Sequence, residues 1–193
     1  MTNFWWVRHG PTHKKTMIGW TDAPADLSNT DQIARLNDHL PKDAVIVSSD
    51  LIRCVDTANA LSEGRERLSH NAGIRELHFG DWEDTHFNDI PKGQQEYLRT
   101  FWENPGDHST PNGESWNQLS NRVNTEVANL ADTYKGRDII VVAHYGVILT
   151  QIQVAGSMTA QAATSFQIDN LSVTKLDHLG DDTWRIAGVN HKP

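Results

Sequence analysis

Two short apolar runs, far apart in the chain, each end in a histidine with a glycine close behind, and this repetition constrains the fold more than any other feature. Residues 3–8 (Asn-Phe-Trp-Trp-Val-Arg) lead into His9-Gly10-Pro11, and residues 139–143 (Ile-Ile-Val-Val-Ala) lead into His144-Tyr145-Gly146. Each run is too short for a helix and too apolar for a strand with one wet face, so each predicts a strand buried on both faces. Residues 44–47 form a third such run, followed by Ser48-Ser49-Asp50. Helical patterns lie between the runs. Ser28 is expected to cap a helix carrying Ile33, Leu36 and Leu40, which Pro41 stops. Residues 48–50 are expected to cap a second, with Leu51, Val55, Ala58 and Leu61 on one side and Gly64 at its close.

The clearest helix covers 114–134, where Trp116, Leu119, Val123, Val127, Leu130 and Tyr134 advance by threes and fours and Gly136 follows. A shorter one is predicted over 147–154, ending at Gly156, and another around 96–102 within the mixed stretch 84–104. Residues 166–168 and 171–176 alternate as strands do, and 184–189 as an edge strand. Strands alternating with helices define an α/β fold: a three-layer α/β/α sandwich with a mainly parallel central sheet, its last strands antiparallel at one edge. No repeat, low-complexity tract or linker divides the chain, so residues 1–193 are read as one domain. Ligands of such folds bind beyond the carboxyl ends of the strands, which is where both histidines fall.

The formal charge of −8 excludes long-range attraction to nucleic acid or anionic membrane, so an anionic ligand requires a local cationic pocket. No apolar run approaches the roughly 20 residues of a membrane span. Met1 to Gly10 lacks a basic start and a cleavable apolar stretch, so no export is expected. Cys54 is the single cysteine, which excludes an internal disulfide and fits a cytoplasmic location. The histidines are scattered, with no His-x-x-x-His pair on a helix, and neither a metal nor another cofactor is expected.

Taken singly, Arg8 reads equally as a strand-end surface residue, His9 as a satisfied loop histidine and Arg53 as a solvated residue in the first turn of its helix. Together they form a pattern suited to an anion: two strand-end histidines, an arginine at a strand end, another at a helix start, and Gly10 allowing close backbone approach. These residues resemble the histidine phosphatase superfamily, also called the phosphoglycerate mutase-like family, in four separated blocks. They are Arg8-His9-Gly10; Arg53 in its Ser-Ser-x-Leu-x-Arg setting with Thr57 and Ala58; the acidic block from Arg75 to Glu83; and His144. Pro111-Asn112-Gly113-Glu114-Ser115 is similar to the family's Gly-Glu-Ser start of a helix. Three positions depart from the family pattern: Pro11 stands where glutamate is common, Lys15 where an asparagine is usual, and Tyr145 where a second glycine follows the late histidine.

The resemblance implies a phosphoglycerate mutase-like fold and a phosphatase that hydrolyses a small phosphomonoester. In that reading His9 is the nucleophile, Glu76 the proton donor, and Arg8, Arg53 and His144, the last as imidazolium, bind the phosphoryl oxygens. Thr12 either adds a hydroxyl to the phosphate or stabilises its turn. His13, Lys14 and Lys15 either line a cationic rim or are solvated, and Trp20, Trp82 and Trp116 serve as pocket wall or core. Glu83 and Glu114 are read as caps or as substrate contacts. The rivals are a mutase returning the phosphoryl group to a sugar acid, disfavoured by the lack of extra shielding segments, and a catalytically silent phospholigand-binding protein, which needs neither nucleophile nor proton donor. A cysteine phosphatase is excluded because Ala60 stands six residues after Cys54, where that chemistry needs arginine. Sequence gives no oligomeric state and no substrate identity, although the acidic block and the Asn-Gly-Glu segment look similar to α-ribazole phosphatase.

Overall fold

The computed structural model describes residues 1–193, whose strands form one six-stranded sheet. The strands are β1 (Thr2–Arg8), β2 (Val45–Ser48), β3 (Glu66–Arg67), β4 (Asp138–Ala143), β5 (Val173–Gly180) and β6 (Thr183–His191), in spatial order β3-β2-β4-β1-β5-β6. The first four in that order run parallel, while β5 pairs antiparallel with both β1 and β6. The helices are α1 (Thr30–His39), α2 (Ile52–Ala60), α3 (Gln95–Glu103), α4 (Trp116–Thr133), α5 (Tyr145–Ala155) and the short α6 (Ala160–Ala163). This is the α/β/α sandwich that the buried runs predict.

The strand period of two divides the apolar side chains between two cores. Phe4, Trp6, Val45, Val47, Ile139 and Val141 face α4 and α5 on one side of the sheet, with Leu98 and Phe101 of α3 in the same cluster. Val7, Ile46, Ile140, Val142 and Val173 face the other side, against Leu36 of α1, Cys54 and Ala58 of α2, and Leu40 and Leu61, which follow directly on those helices. Filling both faces is why the central strands carry apolar residues at almost every position.

Register sets the site. Arg8 pairs with Ala143 across the parallel β1–β4 ladder, so the next residues, His9 and His144, leave the sheet side by side. Ser48 pairs with Val142, which brings the start of α2 to the same end. No helix is long and apolar enough to cross a membrane.

The local signals differ from expectation at four places. Asn29, not Ser28, caps α1 by accepting the Gln32 N–H at 3.1 Å, because the helix begins at Thr30 and Asn29 is the residue just before it. Residues 48–50 do not cap α2; Asp22, from a distant loop, accepts its Ile52 N–H at 2.7 Å, and Asp50 pairs instead with Arg75. Residues 166–168 are not a strand: they follow α6, and the Ile168 carbonyl, free of a sheet partner, accepts from Arg8. Strand β3 has no apolar signature because it is two residues of polar edge.

Helix α4 has a cap that the apolar spacing alone does not reveal. The Ser115 hydroxyl accepts the Gln118 N–H at 3.1 Å while the Gln118 side chain accepts the Ser115 N–H at 2.8 Å, a reciprocal box. Ser115→Ala is expected to lower the unfolding free energy by about 1 kcal/mol, read from urea denaturation with an unchanged m-value.

Candidate active site

Four side chains from three elements converge at the carboxyl end of β1 and β4. The His9 and His144 rings lie 5.2 Å apart between centroids at 64°, close to the spacing of neighbouring strands. Arg53, in the first turn of α2, donates from Nε to His144 Nδ1 at 3.2 Å, and Arg8 occupies the last position of β1 beside His9. His144 and Arg53 are buried, and His9 nearly so.

Backbone groups fix these side chains and their tautomers. The Gly10 carbonyl can only accept, so its 2.7 Å contact with His9 Nδ1 places the proton there and leaves the Nε2 lone pair free. The Arg53 Nε–H likewise makes His144 Nδ1 an acceptor, so the ring of neutral His144 carries its proton on Nε2. Arg53 donates its two remaining nitrogens to the Thr21 and Gly19 carbonyls at 2.9 and 2.6 Å. Arg8 donates to the Ile168 carbonyl at 2.6 Å, and its buried Nε–H has no protein partner.

Neither guanidinium has a carboxylate hydrogen-bond partner, in contrast to Arg75 with Asp50, Arg122 with Glu114 and Arg185 with Asp177. Two cations held this way favour a bound anion. Burial, then the positive charge of Arg53, pushes His9 down to about 3; the Gly10 carbonyl opposes this, and Arg8 adds a smaller push downward. Burial and Arg53 depress His144 well below the ordinary imidazole range. The imidazolium expected at His144 therefore does not suit the free protein, because burial first and the Arg53 guanidinium second disfavour the charged ring, and Nδ1 already accepts from Arg53.

Glu76 is the carboxyl group of the cluster. Its oxygens accept from the Leu77 N–H at 2.9 Å and the Gly146 N–H at 3.0 Å, which ties it to the segment just after His144. Burial nevertheless raises its pKa, the two N–H groups and the arginines only partly opposing.

Supporting residues explain why such distant pieces meet. Glu83 accepts from the Gly19, Trp20, Thr21 and Phe79 N–H groups and from the Thr21 hydroxyl, clamping the loop whose carbonyls hold Arg53. Glu114 and Arg122 form an ion pair, and Arg122 also donates to the Gly73, Arg75 and Glu76 carbonyls, fixing the strip that ends in Glu76. Both glutamates are supports; neither lines the cavity beside Glu76. The Thr57 hydroxyl accepts the Gly10 N–H and donates to the Arg53 carbonyl, joining the two motifs directly. Asn170 donates to the His9 carbonyl, and Cys54 packs against His144 with Sγ 3.4 Å from Nε2. Asn170 has no signal in its own sequence neighbourhood, whereas Thr57 already stands in the Arg53 block.

Some expected residues stand apart. The Thr12 hydroxyl makes no hydrogen bond with Arg8, His9, Arg53 or His144. His13 Nε2 lies 2.8 Å from Asp26 and Lys14 lies 3.5 Å from Asp84, so these two side chains turn to local carboxylates, while Lys15 has no ion-pair partner. Trp82 is core and Trp20 backs Glu76, donating to its carbonyl at 2.8 Å. Trp116 lines a cavity of about 280 Å³ beside Glu76, together with Trp102 and Tyr145, and the face of Tyr145 lies 5.3 Å from the Arg8 guanidinium. No cluster of three His, Cys, Asp or Glu side chains suited to a metal ion occurs.

Fold and site together define an α/β protein that gathers, at its strand ends, an imidazole with a free Nε2 lone pair and two guanidiniums without carboxylate partners. The chain belongs to the histidine phosphatase superfamily (branch 1), whose family model matches residues 4–192. It is 30% identical over 176 residues to the adenosylcobalamin/α-ribazole phosphatase of Escherichia coli (strain K12), covering 86% of this chain and 84% of that protein. It is 29% identical over 189 residues to phosphoglycerate mutase-like protein 4 of Arabidopsis thaliana, covering 93% and 81% respectively. Among solved structures, Bacillus stearothermophilus YhfR superposes with a TM-score of 0.89 at 24% identity, covering 99% of this chain and 98% of that one.

Two outcomes follow from this geometry. Glu83→Gln puts amide hydrogens where four backbone N–H groups need an acceptor, and is expected to weaken inorganic phosphate binding about tenfold by calorimetry; unchanged affinity would detach Glu83 from the Arg53 support. For His9, a folded pKa near 3 against 6.5 unfolded means the unfolded chain binds more protons between those values, so stability falls as pH drops through that window. The expected slope is about 1.4 kcal/mol per pH unit, and His9→Gln should remove that share of the acid destabilisation in urea titrations at pH 7 and 5.

Proposed function

We propose that this protein hydrolyses a small phosphomonoester through a phosphohistidine on His9 and without a metal ion. The observation that carries this reading is the pairing of a tautomer-locked, neutral His9 with two guanidiniums that lack carboxylate partners. A cradle that only bound phosphate needs the cations but not a free imidazole nitrogen beside them.

In the first step the Nε2 lone pair of His9 attacks phosphorus, the P–O bond to the leaving alcohol breaks, and protonated Glu76 delivers its proton to the departing oxygen. In the second, the Glu76 carboxylate takes a proton from water as that water attacks phosphorus and the P–N bond breaks. Neutral His9, protonated Glu76 and inorganic phosphate are regenerated. Arg8, Arg53 and the Nε2–H of His144 meet the equatorial oxygens, where charge accumulates. His144 needs no second proton for this, since its Nε2–H donates while Nδ1 stays occupied by the Arg53 Nε–H. A raised Glu76 pKa suits the donor role, since an ordinary carboxyl group would have lost its proton by neutral pH.

His9→Ala is expected to reduce turnover by about 10³-fold or more, and acid-labile, base-stable labelling of the protein by a ³²P-ester should vanish with it. Excess chelator should leave wild-type turnover intact; dependence on added metal refutes the metal-free route. Glu76 works as an acid below its raised pKa and fails above it. For alkyl esters kcat/KM should therefore fall as pH rises past that value. Glu76→Gln should flatten this limb and cost about 10²-fold to 10⁴-fold, but far less with 4-nitrophenyl phosphate, whose leaving group needs no proton. Preferential transfer to a sugar acid acceptor over water would establish the mutase reading instead.

A further inference from the structure

The cavity beside Glu76 is apolar where a hydrophilic leaving group would need partners. Its volume is about 280 Å³, nearly twice the roughly 150 Å³ that admits a benzene ring. Phe79, Phe101, Trp102, Trp116, Leu119 and Tyr145 form most of its wall, and no lysine, arginine or histidine lines it. Two of its few polar groups are already engaged: Trp116 Nε1 donates to Gln153 at 2.6 Å, and the Tyr145 hydroxyl reaches the Phe166 carbonyl at 3.4 Å. Of the cations around it, Arg99 is held by Glu96 and Glu103 and Arg122 by Glu114, while Arg8, at the Tyr145 ring, is committed to the phosphoryl group in the proposed reaction. A second carboxylate entering here would lose its water, meet the acid Glu76 and find no uncommitted cation on the wall. Trp102 and Tyr145, large rings left 42% and 36% exposed, stand at this cavity and offer faces for a ligand to cover.

We infer that the ester hydrolysed here carries an uncharged, apolar alcohol, a ring or an alkyl chain, which fills the cavity while Glu76 meets the bridging oxygen. This rests on the phosphatase reading and adds the class of leaving group. Carboxylated phosphates of the sugar-acid or amino-acid kind are excluded by the same wall.

The test is a set of esters whose leaving alcohols need similar help from a proton donor: ethyl, butyl, hexyl and 3-phenylpropyl phosphate against phosphoserine and 3-phosphoglycerate. Each methylene should raise kcat/KM about fourfold until the cavity fills. The carboxylated esters should lie about a hundredfold or more below hexyl phosphate. Trp102→Arg, at an exposed position that leaves the core intact, should shift the ratio of 3-phosphoglycerate to hexyl phosphate at least about tenfold toward the former, with circular dichroism confirming the fold. A flat alkyl series, or preference for a carboxylated ester by the wild-type protein, overturns the assignment while leaving hydrolysis standing. Lack of turnover with every ester overturns the phosphatase reading and this inference with it.

Discussion

Everything at the site follows from holding two guanidiniums close together, largely buried and without counter-ions. Arg53 is 1% exposed, and its partners are two backbone carbonyls and an imidazole. Carbonyl oxygens satisfy its N–H groups without neutralising its charge, so the positive potential survives for a ligand. The cost of that arrangement explains the surrounding architecture. Glu83 clamps the loop that supplies the carbonyls, Asp22 ties the same stretch of chain to the start of α2, and Thr57 links Arg53 to Gly10. Each of these contacts is local chemistry whose effect is to keep a repulsive cluster from relaxing.

The same potential governs protonation. Charge and burial act in one direction on both imidazoles, keeping them neutral, whereas for Glu76 burial opposes the arginines and prevails. Within one cluster, imidazoles pushed toward the neutral form thus stand beside a carboxyl group whose pKa is raised, each set by its surroundings and not by its intrinsic titration.

How far the sequence reveals this depends on the kind of interaction. Buried strands and their terminal histidines are legible because strands covered on both faces leave a continuous apolar run, and the parallel register then makes His9 and His144 neighbours. Helix α4 is legible from spacing to within two residues at its start and one at its end, against 114–134 expected. The cap of α2 is not, because Asp22 reaches it from 30 residues away. Residues 166–168 alternate like a strand, yet the chain uses the Ile168 carbonyl to hold Arg8. The protonation of His144 is hidden from the sequence for a related reason: it is set by burial and then by Arg53, a tertiary neighbour 91 positions away.

One feature of the architecture separates two tasks physically. The anion cradle grows from strand ends and the first turn of α2, all anchored in the sheet. Four residues of the neighbouring cavity's wall, Phe79, Phe101, Trp102 and Pro105, come from the 79–105 stretch and α3, which contribute no strand to that sheet. On the proposed reading, a change at Trp102 alters the fit of the alcohol at a position outside the strand ends and the α2 turn that would hold the phosphate. A scaffold divided in this way lets selectivity drift while its reactive centre stays fixed.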